Sequence, residues 1–435
     1  MEGTSDTDTQ VRNVHMALPF NPRGNLRLYV VCFSALAVSL PMAWISLSKL
    51  LLFTTFLGYL LGGSFKEAGK PSPLRWHSTK VLLLIILAFT CSLLWTEVSL
   101  DFALSMLIKH LKLLQVLLLV LLVRSVRDAH LALKVFVFAQ IFILTSSWLL
   151  AAGMPLPWVF NNQAELKTHY VVFSESYLDQ SIMLAMLAGV VWHMQSDWKL
   201  PRYLAAAIAL AALLNVLLLL PGRTGYVACF VVVGLGVMWS MPKKVRWAML
   251  LGVPLLLAGV MLAGSNKIST RFSQVLHESQ DYSQNGDTSS SSGWRLNAWR
   301  RSIEAIGQKP WTGYGVGSWT PAVKRLDGDK AIADFGVGNS SNPHQEFLLW
   351  GVELGVLGSL LLVALFLAMV LDAQRFPPSV QRATQTSVAV AAVACLFNSS
   401  LYDALIGDYL CTAMGLLLAL GVQMCSVELP ASTST

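Results

Sequence analysis

Charge is what this 435-residue chain has least of: Asp, Glu, Lys and Arg together make up 13% of it. A soluble domain needs about a quarter of its residues charged to cover its surface, so a large soluble enzyme is excluded. Cysteine is also sparse. The six present (Cys32, Cys91, Cys229, Cys395, Cys411 and Cys425) lie in or beside apolar runs, with no CxxC or Cys/His spacing. Neither a disulfide framework nor a zinc site is supported. No dense basic patch accompanies the net charge of +7. The basic residues are scattered between apolar runs, which argues against nucleic acid as a partner. Met1 to Asn25 lacks the short apolar core and small-residue cleavage site of a secretory signal, so the first apolar run is expected to stay as an anchor.

What fills the chain instead is apolar, at 55% hydrophobic and a mean hydropathy of +0.58. A membrane span needs roughly 20 apolar residues to cross about 30 Å of hydrocarbon. Such runs fall near 28–47, 49–63, 79–96, 102–123, 131–151, 180–195, 203–221, 224–241, 246–264, 347–371, 384–401 and 406–425. The expectation is an all-α integral membrane protein of about 12 transmembrane helices.

With the N-terminus taken as cytoplasmic, the inner segments hold seventeen basic residues: Arg12, Arg23, Arg27, Lys66, Lys70, Arg75, Lys80, Arg124, Arg127, Lys134, Lys199, Arg202, Lys243, Lys244, Arg246, Arg375 and Arg382. The short outer segments hold three, Lys49, Lys167 and Arg223. Positive residues resist translocation, so this bias predicts two cytoplasmic ends. The expected domains are a tail over 1–27, spans one to nine over 28–264, a large periplasmic loop with interfacial helices over 265–343, spans ten to twelve over 344–425, and a second tail over 426–435.

A loop of that size is where function is expected. Its middle, Ser279 to Gly293, is rich in Ser, Asn and Gly and reads as a mobile linker. From Trp294 a helix is expected, with Leu296, Trp299, Ile303 and Ile306 on one face, as suits a membrane interface. Lys309-Pro-Trp-Thr-Gly-Tyr-Gly-Val-Gly-Ser-Trp319 is turn-rich, and Asp327-Gly-Asp329, among Lys324, Arg325 and Lys330, reads as a solvated turn.

Three outer positions carry candidate chemistry. Arg223 sits in Pro221-Gly-Arg-Thr-Gly225 between two spans, and Arg295 opens the loop helix. His344 lies in Ser341-Asn-Pro-His-Gln-Glu-Phe347, where Asn342 is a natural N-cap and Pro343 suits the first helical position. That puts His344 in the first turn of the tenth span, whose positive end keeps the imidazole neutral. Glu346 beside it could orient the ring, and reads better as an ordinary first-turn acid. On span four, Lys109 and Lys112 share a face, with His110 between them. Either they face a lipid-phosphate groove, or residues 101–112 lie flat at the interface. The space outside a bacterial membrane has no nucleotide sugars, so an enzyme facing it takes its donor from the membrane. A polyprenyl-diphosphate leaving group calls for fixed cations, and an acceptor hydroxyl calls for one base.

With Gly-Arg-Thr-Gly around Arg223, Trp294-Arg295 with Trp299, Pro310-Trp-Thr-Gly-Tyr-Gly-Val-Gly-Ser-Trp319 and Asn342-Pro-His-Gln-Glu-Phe347, in that order, the chain resembles the O-antigen ligase and Wzy polymerase superfamily, most closely the WaaL-type O-antigen ligases. The resemblance implies a metal-independent, inverting glycosyltransferase of the GT-C type that needs no cofactor. Its donor would be O-antigen polysaccharide on undecaprenyl diphosphate, and its acceptor a sugar hydroxyl of the lipid A core. It further implies that Arg223 and Arg295 hold the diphosphate and that His344 activates the acceptor. Arg300, Gln345, Glu346, Lys109 and Lys112 are possible supporting residues. Where the family often has Asn after the histidine, this chain has Gln345, another amide. An O-antigen polymerase or a protein O-oligosaccharyltransferase would use the same donor, although the latter usually carries additional C-terminal sequence. A secondary transporter is the rival from another class; such folds show matching halves and broken helices at the midplane, whereas the polar candidates here cluster on the outer side.

Overall fold

Long apolar runs in this chain have helix as their only inexpensive solution, because backbone groups in lipid must bond within their own segment. The computed structural model describes residues 22–62, 75–159, 167–173, 176–242, 244–245, 266–327 and 342–427, with single positions 252, 255 and 259. Among these there is no strand. In order the α-helices are α1 (Pro22–Ala37), α2 (Met42–Leu61), α3 (His77–Cys91), α4 (Leu100–Leu111), α5 (Leu114–Leu122), α6 (Val126–Ala151), α7 (Tyr177–Met194), α8 (Arg202–Leu218) and α9 (Arg223–Ser240). They continue as α10 (Asn266–Asn285), α11 (Ser291–Gln308), α12 (Trp319–Asp327), α13 (Glu346–Leu354), α14 (Val356–Ala373), α15 (Pro378–Phe397) and α16 (Ala404–Val427).

Every expected apolar run overlaps one of these helices except 246–264, which lies outside the described residues apart from single positions. Six of the helices are long and apolar enough to cross a membrane, or seven if α4 and α5, bent by 43°, form one span. This is a multi-pass membrane protein. Large apolar side chains such as Leu61, Leu94, Ile108 and Phe138 remain exposed on its flanks, a surface suited to lipid rather than water. At the centre stands α16, whose most apolar stretch is 94% buried. It packs against α5, α6 and α15, while α7 is wrapped by α8, α9 and α15. Polar side chains within this core bond to one another: Gln115 to Thr412, Gln180 to Ser147, and Asn215 to Ser147.

Four expectations change. The first apolar run does not continue over 28–47; it breaks before Pro41, which cannot donate a helical hydrogen bond, and α2 begins at Met42. Lys49 therefore sits inside α2 rather than in an outer turn, paired at 2.8 Å with the buried carboxylate of Asp408. The stretch Ser279 to Gly293 is no linker: α10 runs through Asn285, and α11 starts at Ser291, with Ser290 accepting from Gly293 N as its cap. The buried face of α11 carries Ala298, Ser302 and Ala305, while Ile303 is exposed. Small side chains allow close approach of helices, and α11 uses them against α13. Of Asp327-Gly-Asp329, only Asp327, the last residue of α12, is among the described residues.

Two breaks position the loop helices. Between α13 and α14, Gly355 has φ +72°, and a Cβ there would come within 2.4 Å of the Pro310 carbonyl oxygen. That carbonyl accepts from Val356 N at 2.8 Å. The segment 310–319 folds onto the same corner, with Tyr314 N and Gly315 N donating to the carbonyls of Val352 and Glu353 at 2.9 Å. Glu353 Oε1 also accepts from Gly317 N at 2.7 Å. Trp319 Nε1 then reaches back to Ser302 Oγ at 2.9 Å, so the turn-rich motif clamps α11 and α12 to the end of α13.

Candidate active site

Arg223 opens α9, immediately after the Pro221-Gly222 turn. Its guanidinium donates to Ser292 Oγ at 2.9 Å and lies 3.7 Å from Glu278 Oε2. The same carboxylate oxygen accepts from Ser292 N at 3.1 Å, at the amino end of α11, where unpaired N–H groups favour negative charge. Arg295, in the second turn of α11, donates to the Phe397 carbonyl and to Asn398 Oδ1, each at 3.3 Å. The two arginines line one cavity of about 320 Å³, together with Thr224, Ser292, Leu296, Trp299 and Phe397. Burial, and then the charge of Arg223, lower the Arg295 pKa from its ordinary value; a guanidinium nonetheless stays charged in proteins.

His344 lies beside this cavity but not in a helix. The first turn of α13 starts only at Glu346, capped by Gln345, whose Oε1 accepts from Leu348 N at 2.6 Å. Asn342 Oδ1 is instead taken by His344 N at 2.9 Å, a local side-chain turn that competes with capping. His344 is thereby held at φ +50°, a left-handed conformation that costs a non-glycine residue energy. Its ring packs edge-on against Trp294, with centroids 5.2 Å apart. Trp299 Nε1 donates to the adjacent Pro343 carbonyl at 3.1 Å. Burial, and then the charge of Arg295, hold the His344 pKa down at about 4. The imidazole is neutral at pH 7, as expected, but through desolvation and a neighbouring cation rather than a helix dipole.

The other sequence candidates have different places. Arg300 is exposed and pairs with Glu304 at 3.0 Å. Lys109 Nζ stands over the Tyr402 ring at 4.3 Å, and Lys112 Nζ donates to the carbonyls of Tyr402 and Asp403; neither lines the cavity. Lys112 is buried at the α4–α5 bend. Between the lysines, His110 Nε2 is 2.9 Å from Glu353 Oε2, and its ring stacks on Phe89. Glu346 is in the first turn of α13, as expected, but it is fully buried and accepts from Trp350 Nε1 and from the backbone N–H groups of Leu401 and Tyr402.

These contacts converge on Asn398-Ser-Ser-Leu-Tyr-Asp403, the turn between α15 and α16, which sequence reasoning passed over. Its only sequence signal is a polar run between two apolar ones. Through it, Asn398 meets Arg295, Leu401 and Tyr402 meet Glu346, and Tyr402 and Asp403 meet Lys112. Among the described residues, no group of three or more His, Cys, Asp or Glu side chains is arranged to hold a metal ion.

The fold and site define a multi-pass helical membrane protein with a dicationic cavity built where its loop helices meet the bundle. A family model described as O-antigen ligase (Wzy_C) matches residues 206–363, from α8 into α14, a stretch containing Arg223, Arg295 and His344. That match supports membership of the O-antigen ligase superfamily. Members of this family are glycosyltransferase-like enzymes that act on polysaccharide and lipid-linked substrates. Comparison with curated proteins returned no match.

Proposed function

We propose that this protein is an O-antigen ligase of the Gram-negative inner membrane, acting on its periplasmic side. It would move O-antigen polysaccharide from undecaprenyl diphosphate to a sugar hydroxyl of the lipid A core. The observation that carries this reading is the pairing of Arg223 and Arg295 on one cavity, with the neutral imidazole of His344 beside Arg295. In the proposed step the acceptor hydroxyl gives its proton to His344 while its oxygen attacks C1 of the donor sugar. The C1–O bond to the diphosphate breaks from the opposite side, the electron pair leaves with the phosphate oxygen, and configuration inverts. Two fixed guanidinium groups meet the developing negative charge without reorganising, which is the kind of stabilisation enzymes use most.

Removing one such fixed charge costs on the order of 10²–10³ in rate. Arg223→Ala, Arg295→Ala and His344→Ala are each expected to abolish most transfer in a deletion strain, with the protein still inserted. Free lipid A core with accumulated full-length lipid-linked polymer would mark the strain as lacking a ligase; single repeats would mark loss of a polymerase instead. Near-normal ligation by the His344 and Arg223 variants would sink the site assignment.

A further inference from the structure

Two guanidinium groups around one small cavity repel each other, and Arg295, whose charge burial disfavours, needs acceptors to hold it there. Among the described residues those acceptors are neutral: the Phe397 carbonyl and Asn398 Oδ1, each at 3.3 Å. Asn398 is itself buried, at 6% exposure. It closes α15, and its backbone N–H bonds to the Ala394 carbonyl. The other end of its side chain, Nδ2, donates to Thr224 Oγ1 at 3.2 Å, one residue beyond Arg223 in the first turn of α9. A single amide thus touches the Arg295 guanidinium on α11 and the turn carrying Arg223 on α9.

We infer that Asn398 is a positioning residue that sets the two arginines on the cavity and leaves the positive charge of Arg295 unneutralised for an anionic ligand. This rests on the diphosphate reading given above. The choice of amide follows from electrostatics. A carboxylate at 398 would be the stronger acceptor for Arg295, but it would cancel the charge the cavity offers, and it lacks the N–H that Thr224 accepts. A residue that merely closes the helix would register in thermal unfolding and leave binding unchanged.

The test is binding of sugar-free undecaprenyl diphosphate to the full-length protein in lipid nanodiscs, with thermal unfolding read in parallel. Asn398→Ala is expected to bind about tenfold or more weakly, the typical worth of a hydrogen bond to a charged group. Asn398→Asp should bind more weakly still, although it unfolds at the same temperature as the alanine variant or higher. Thr224→Val, which leaves the Asn398–Arg295 bond in place, should lose affinity severalfold; it stands in if a 398 variant does not fold. Wild-type affinity in the 398 and 224 variants, with binding lost in Arg295→Ala, would overturn the role of Asn398 and leave the diphosphate site standing. Tighter binding by Asn398→Asp than by Asn398→Ala would overturn it too, by showing that only shape matters. Wild-type affinity in Arg223→Ala and Arg295→Ala as well would overturn the diphosphate reading, and the role of Asn398 with it.

Discussion

His344 shows at the residue scale how one property can be anticipated for the wrong reason. The motif Asn-Pro-His made neutrality legible, because an Asn and a Pro ahead of an apolar run look like a helix start. In the folded chain Asn342 bonds His344 N instead, the helix begins beyond it, and the imidazole is neutral because it is buried against Arg295. This has a measurable consequence. A general base works deprotonated, so activity falls as pH drops through its folded pKa. With that pKa lowered to about 4, kcat/KM should stay level from pH 7 to about 5 and halve only near 4. An acid limb centred near the ordinary histidine value of about 6.5 would show that His344 is not so buried in the working enzyme. The same shift carries a stability sign. Between about 6.5 and 4 the unfolded chain takes up a proton that the folded one refuses, so this residue lowers stability as pH falls through that window.

At the scale of elements, apolar length predicted where helices lie, but not where they stop. The bends between α4 and α5 and between α13 and α14 interrupt stretches that read as single spans, and what sustains them comes from elsewhere: Lys112 bonded to the 402–403 carbonyls, and Pro310 bonded to Val356 N. The Trp-Thr-Gly-Tyr-Gly-Val-Gly segment was legible as turns; that it clamps α11 to α13 was not. Gly355→Ala forces a side chain into a left-handed φ of +72° and onto the Pro310 carbonyl. The expected loss is about 2 kcal/mol or more, read as a lower unfolding temperature in detergent, with transfer reduced because α11, which carries Arg295, loses its anchor. Gly315→Ala, whose Cβ would come within 2.4 Å of Thr96 Cα, should behave alike. Unchanged unfolding in both would mean that the corner is not a clamp.

For the molecule as a whole, the decisive segment is the turn 398–403, where buried Glu346 and Lys112 and half-buried Arg295 all find partners. Glu346→Ala would leave Trp350 Nε1 and the N–H groups of Leu401 and Tyr402 without their acceptor. Each unpaired buried donor costs about 1–3 kcal/mol, so a loss of at least about 3 kcal/mol is expected, with donor binding lost although both arginines are intact. Thermal unfolding and binding of undecaprenyl diphosphate by that variant check both halves; a near-normal unfolding temperature would remove the turn from its central place. The sequence by itself determined that this chain is helical and membrane-spanning, because apolar composition in lipid leaves helix as the economical backbone. It also singled out Arg223, Arg295 and His344, through the order and position of several short motifs rather than through any one of them. Only the tertiary structure decided that the two arginines share one cavity and that residues 398–403 hold the frame around it. Those bonds join residues from 55 to 291 positions apart, and a hydrogen bond between distant residues leaves no period, spacing or composition in either stretch for a reader to find.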